Sequence, residues 1–238
     1  MSYHASVIHA TYGRPEKAFA TMELWLNRSA HPAGVEYIIA ANSDDPTLPK
    51  LVKLAASGRQ KLLVVGDYKG SAPAWDDAAS KSTGSLLIQA QDDVEPPDKW
   101  DELLCTKIEA AGKLYSWRYD PVFVAVSDGY RKDKLCCTAI MNRARYAQCR
   151  EFVHAGYISM FSDDEVTIRA YADAADGKCT LLEARDIVFK HEHACHNPAV
   201  PMDDTYRREN SQAAYAIGGK LFEERNRPLI KRGLRTWK

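Results

Sequence analysis

The run Leu86-Leu87-Ile88-Gln89-Ala90 is apolar and β-like, and it stops abruptly at Gln91-Asp92-Asp93 before Val94-Glu95-Pro96-Pro97. Carboxylates at the end of a strand suit Mg²⁺ or Mn²⁺, hard cations that take oxygen ligands and keep positions open for phosphate oxygens. A second acidic group, Asp163-Asp164-Glu165, follows Phe161-Ser162 and opens a helical pattern, where a carboxylate could serve as general base. The same letters spell a capping box from Ser162 to Glu165, with acids favoured in a first turn by the helix dipole. A third group, Phe189-Lys190-His191-Glu192-His193-Ala194-Cys195-His196, sets His191 and His193 two apart, so that on a strand both would face one ion. A zinc site built from His191, His193, Cys195 or His196 is the alternative, although no second cluster completes a tetrahedron.

These groups need a frame, and the first ninety residues supply one. Short apolar runs at 6–10, 36–41, 61–65 and 85–89 read as strands, and stretches at 14–29, 46–57 and 74–81 read as helices. Strands that are apolar almost throughout and alternate with helices predict an α/β fold, with a mostly parallel sheet covered on both faces. Such sheets bind ligands beyond the carboxyl ends of their strands. The residues there are Thr11-Tyr12-Gly13-Arg14, Asn42-Ser43-Asp44-Asp45, Gly66-Asp67-Tyr68 and Gln91-Asp92-Asp93, a mainly acidic rim. Further on, the pattern predicts helices at 98–111, 163–174 and 205–221, and strands at 113–117, 122–126, 179–182 and 187–190.

The chain has 238 residues, with 32 Lys and Arg against 32 Asp and Glu, so no overall field draws it to nucleic acid or an anionic membrane. The last nineteen residues are locally basic, with seven cations against Glu223 and Glu224. No apolar run reaches the roughly 18 to 20 residues that span a bilayer, and the start lacks the features of a signal peptide, so membrane insertion is not expected and a cytoplasmic location is. Six cysteines without a C-x-x-C pair are expected to be reduced. Neither G-x-G-x-x-G nor G-x-x-x-x-G-K-[ST] occurs, so a metal must hold the phosphates of any bound nucleotide.

Three segments in order, Ser6-Val7-Ile8-His9-Ala10-Thr11-Tyr12-Gly13-Arg14-Pro15, Tyr37-Ile38-Ile39-Ala40-Ala41-Asn42-Ser43-Asp44, and Gln91-Asp92-Asp93 with its prolines, resemble the inverting GT-A glycosyltransferases of the family 2 type. The resemblance covers roughly residues 5 to 195. It implies a GT-A (nucleotide-diphospho-sugar transferase) fold with a Rossmann-like amino-terminal half, a nucleotide-sugar donor, UDP-linked by default, and a Mn²⁺ or Mg²⁺ ion. On this resemblance Thr11, Tyr12, Arg14 and Asp44 line the nucleotide pocket, Asp92 meets the ribose and diphosphate, Asp93 with His191 or His193 holds the metal, and Asp164, with Asp163 as alternative, is the base; the rim beyond the strands adds Asn42, Asp67 and Gln91 to the donor site. Gln91 departs from the aspartate usual there, and a neutral amide binds a divalent cation more weakly. The expected organisation is one catalytic domain over 1–200, with a donor half over about 1–97 and an acceptor half over about 98–200, followed by a C-terminal helix and basic tail over 201–238.

The acceptor is expected to be a soluble hydroxyl compound. The basic tail suggests a hydroxymethylated base in DNA, with Trp75 or Trp117 bordering the acceptor groove. A nucleotidyltransferase acting on sugar phosphates and a degenerate nucleotide-sugar-binding module are the other readings of the same residues.

Overall fold

The first strand, β1 (Ala5–Thr11), is buried along its whole length, as are nearly all of β2 (Val35–Asn42) and all of β4 (Leu86–Ala90). Side chains on these strands alternate between two cores. Val7, Ile39 and Ile88 pack with Trp25 and Trp100 on one face, whereas Ile8, Ile38 and Leu87 pack with Trp75, Phe123, Ile168 and Phe222 on the other. Coverage on both faces is what continuous apolar strands require. The structure, a computed structural model, describes residues 4–59, 62–111, 119–194, 197, 199–200 and 202–234. The strand expected over 113–117, with Trp117, lies outside the described residues, as do Cys195 and His196.

The seven-stranded sheet runs β3-β2-β1-β4-β7-β6-β8, with β3 at Leu62–Gly66, β6 at Val122–Ser127, β7 at Ile140–Asn142 and β8 at Thr180–Val188. All neighbours are parallel except those of β7, which runs against both β4 and β6. Helices α1 (Pro15–Asn27), α2 (Leu48–Ala55) and α3 (Ser71–Lys81) form the crossovers of the first four strands. Their order reverses between β1 and β4, a topological switch point that opens a crevice beyond the strands' carboxyl ends. The second half adds α4 (Trp100–Ala110), α5 (Arg143–Cys149) and α6 (Ser162–Ala175). A separate antiparallel ribbon pairs β5 (Val94–Glu95) with β9 (Lys190–His191).

The late helix expected over 205–221 is two helices, α7 (Asp204–Glu209) and α8 (Gln212–Lys231), each capped by a side chain, Asp203 and Ser211. Much of the basic C-terminal segment is therefore helix. Arg225 pairs with Glu165 and Glu151, Arg232 with Asp176, and Lys220 lies 4.0 Å from Glu224.

Candidate active site

One cavity of about 650 Å³ occupies the switch point. Among the residues nominated from sequence, Thr11, Tyr12, Arg14, Asn42, Asp44, Gln91, Asp92, Asp93, Asp163, Asp164, His191 and His193 all line it. Asp67 does not line it, and its carboxylate instead accepts the Ser43 hydroxyl. Its nomination rested on its place after β3, but the chain turns there and the next residue, Tyr68, reaches the cavity. Asn42 spans that turn, donating to the Tyr68 carbonyl at 2.8 Å and accepting its N–H at 2.8 Å. Asp45, not nominated from sequence, fixes the loop after β1 by accepting the Gly13 N–H at 2.8 Å.

The acidic turn after β4 divides its three side chains among three tasks. Gln91 donates to the Cys137 carbonyl at 3.3 Å. Asp92 is 8% exposed and turns back toward β1. Its Oδ1 lies 2.9 Å from His9 Nε2, its Oδ2 accepts the Thr11 hydroxyl at 3.3 Å, and Arg14 Nη1 is 3.6 Å away. Asp93 faces the ribbon, whose register sets Val94 opposite His191. His191 Nε2 therefore sits 3.4 Å from Asp93 Oδ1. Burial raises the Asp93 carboxyl, yet His191, Lys17 and His193 together hold it below the ordinary range.

Whether these residues suit a metal can be judged from His191. Its Nε2 is buried and makes no well-formed hydrogen bond, facing the Asp93 carboxylate at 3.4 Å across a gap that an ion could bridge. Among the described residues no three His, Cys, Asp or Glu side chains form a ready-made cage. One carboxylate and one imidazole are what a Mn²⁺ or Mg²⁺ ion needs when phosphate oxygens and water complete its shell. His193 packs its ring on His191, at 5.0 Å between centroids, and on Tyr206 at 4.8 Å.

Across the cavity, α6 presents Asp163 and Asp164. The capping box is not formed. Phe161, with φ of 69°, occupies the cap position, and the Ser162 hydroxyl donates to the Ser159 carbonyl at 2.6 Å. Glu165 points away from the helix start, toward Arg225 at 2.9 Å and Asn226 at 3.1 Å. Burial, and then the Asp164 charge, push the Asp163 carboxyl up to about 7.

The C-terminal segment closes one side of the cavity, which no sequence motif announced. Arg14 makes a bidentate pair with Asp203, and the Thr205 hydroxyl donates to the Tyr12 carbonyl at 3.2 Å. The Arg208 guanidinium lies 4.1 Å from the centre of the Tyr12 ring. Glu209 also lines the cavity, its carboxyl raised to about 7, chiefly by burial. Trp75 is buried in the wall with Nε1 donating to the Ala90 carbonyl at 3.0 Å, while Trp100 belongs to the core.

No protein-family model matches the sequence, and no curated protein does. Solved structures do match in shape. The mannosyltransferase PcManGT from Pyrobaculum calidifontis, in complex with GDP-Man and Mn²⁺, superposes with a TM-score of 0.59 at 13% identity, over 81% of this chain and 57% of that one. S. aureus TarS 1-349 in complex with UDP gives 0.57 at 14% identity, over 78% of this chain and 59% of that one. Glucosyl-3-phosphoglycerate synthase from Mycobacterium tuberculosis, with Mn²⁺, UDP and glucosyl-3-phosphoglycerate, gives 0.51 at 11% identity, over 91% and 80%. This chain spans 59% of the length of that TarS fragment. The seven-stranded sheet, its switch point and these likenesses together identify the fold as GT-A, the fold of nucleotide-sugar glycosyltransferases.

Proposed function

We propose that this chain is a metal-dependent inverting glycosyltransferase that moves a sugar from a nucleoside-diphosphate donor, UDP-linked by preference, to the hydroxyl of a soluble acceptor. The observation that carries this reading is the single cavity in which the Asp93–His191 pair and the Asp163–Asp164 pair face a common space. Two of the structural likenesses hold UDP and one holds GDP-Man, so UDP leads and GDP is its competitor.

Thr11, Tyr12, Arg14, Asn42, Asp44, Gln91 and Asp92 bind the nucleotide, with Arg14 a cation of the cavity wall available to its phosphates. Asp93 and His191 are the residues that would hold Mn²⁺ or Mg²⁺, and that ion neutralises charge on the departing diphosphate. Asp164 takes the proton from the acceptor hydroxyl as it attacks the anomeric carbon from the face opposite the nucleotide, and a single displacement inverts the configuration. Asp163, kept protonated by burial and by its neighbour up to about pH 7, lets Asp164 carry the charge of the pair. Residues of about 1–97 form the donor half and about 98–200 the acceptor half, with α7 and α8 completing the wall.

Thermal melts with UDP, GDP or CDP, each with and without Mn²⁺, test the donor site. A nucleotide at a hundred times its Kd stabilises the native state by about 2.7 kcal/mol. The expected result is a Mn²⁺-dependent rise in Tm with one diphosphate, lost in Asp93→Ala. No rise with any of them overturns the proposal. Asp164→Asn is expected to keep nucleotide binding and lose at least about 100-fold in turnover. Unchanged turnover removes Asp164 from the mechanism. Release of pyrophosphate instead of nucleoside diphosphate identifies a nucleotidyltransferase.

A further inference from the structure

We propose that His9 and Tyr37 are positioning residues for the donor site, acting through Asp92; this rests on the nucleotide-binding role given to Asp92 above. His9 is fully buried on β1, where Ala5, Val7, Ile8 and Ala10 are apolar. The parallel register sets His9 beside Ala90 of β4, and Asp92 follows two residues later on the same face. On the β2 side, Tyr37 pairs with Val7 in register, so its ring lies diagonally beneath His9. The result is a chain of two hydrogen bonds, Tyr37 hydroxyl to His9 Nδ1 at 2.8 Å and His9 Nε2 to Asp92 Oδ1 at 2.9 Å.

The direction of that chain follows from its carboxylate end. The Asp92 carboxylate accepts, so in the neutral imidazole Nε2 carries the proton and donates to Oδ1, while Nδ1 accepts from the Tyr37 hydroxyl. Burial first, and Asp92 second, raise the Tyr37 phenol well above its ordinary range. An apolar side chain at position 9 would pack in a parallel strand without any such network. A buried imidazole costs stability unless both nitrogens are satisfied, and here one of them is satisfied only by a carboxylate that lines the cavity. His9 thereby fixes one oxygen of Asp92, leaving the other for Thr11, Arg14 and the nucleotide. Neither residue reaches the cavity wall, so neither contacts the donor.

Calorimetric titration of UDP and GDP with Mn²⁺ into the full chain and its His9→Gln, His9→Phe, Tyr37→Phe and His9→Phe/Tyr37→Phe variants tests this, each variant first shown to melt cooperatively. Glutamine keeps a donor near the Nε2 position, so His9→Gln is expected within about threefold of wild type. His9→Phe removes that donor and is expected to weaken binding by about 10- to 100-fold, the usual loss when the outer partner of a binding group is removed. Tyr37→Phe falls between them. The double variant is expected to bind no more weakly than His9→Phe alone, because Tyr37 acts only through His9. Wild-type affinity in a folded His9→Phe, or additive losses in the double variant, overturns the proposal and leaves the donor site standing. Should His9→Phe fail to fold, Tyr37→Phe decides, and an unchanged affinity there overturns it. Absence of nucleotide binding in the wild type overturns the donor reading itself and this proposal with it.

Discussion

A carboxyl group held protonated inside a cavity works against folding at any pH where water would ionise it. Asp163 is such a group, raised to about 7 from an unfolded value of about 3.9. Between those two values the folded chain binds a proton that the unfolded chain has released, so stability falls as pH rises through that window. Asp163→Asn removes the titration. The Tm of Asp163→Asn relative to wild type is therefore expected to rise from pH 5 to pH 8, reaching a gain of a few degrees, as melts at the two pH values will read. A relative Tm that falls over the same interval would place Asp163 among the ionised residues. Stability given up at a site where two carboxylates must lie together is the trade expected of catalytic groups.

At the scale of elements, the acid pair depends on how closely α8 approaches the loop before α6. Gly218 makes that approach possible, because a Cβ there would lie 2.4 Å from the Met160 carbonyl oxygen and 3.1 Å from the Phe161 ring. Phe161 is itself left-handed in φ, so the loop has little room to yield. Gly218→Ala gains helix propensity but forces the helix off the loop, and a net loss of about 1–3 kcal/mol is expected. In a domain of this size each kcal/mol lowers Tm by about 2–4 °C. An unchanged melt would show that α8 does not pack on Met160 and Phe161 at Gly218. The elements legible in the sequence were those whose burial is written locally. Continuous apolar runs revealed β1 to β4, and the acids after β4 stood out because a strand stops there. The three residues of β7 and the seven of α5 are too short to show a period. Cover of the cavity by α7 arises from contacts such as Arg14 with Asp203, 189 residues apart, which no local pattern records. His9 was passed over because the polar residues of β1, Ser6, His9 and Thr11, follow no period that sets one of them apart.

For the molecule as a whole, equal numbers of acidic and basic residues leave partner choice to local charge. The basic C-terminal segment offers less than its composition suggests, since Arg225 and Arg232 are engaged with carboxylates and Lys220 lies beside Glu224. Arg227 and Lys231 stay exposed along α8. With Arg235 and Lys238, which lie outside the described residues, that leaves four cations, and four phosphate contacts give a log–log salt slope of about −3.6 on duplex DNA, so elution of the full chain from immobilised DNA is expected to be no steeper. A slope beyond about −5 would mean that the paired cations are released to phosphate, and would favour a hydroxymethylated base in DNA as acceptor. Deleting the segment from residue 224 is the wrong form of that experiment, because it also removes Arg225 and Asn226, which hold Glu165 of α6. The described residues contain no helix long and apolar enough to cross a membrane.

The bonds from Arg225 and Asn226 to Glu165 also set an order of events during synthesis. Chains emerge amino terminus first, at about 5–20 residues per second, and units can fold as they appear. Strands β1 to β4, with the turn that carries Asp92 and Asp93, are complete by residue 95. The first turn of α6 gains its anchors only after a further 130 residues or so have left the ribosome. On the function proposed above, the turn that carries Asp92 and Asp93 thus leaves the ribosome well before the residues that anchor the helix bearing Asp163 and Asp164, and the two halves of the cavity can meet only once α8 has been made.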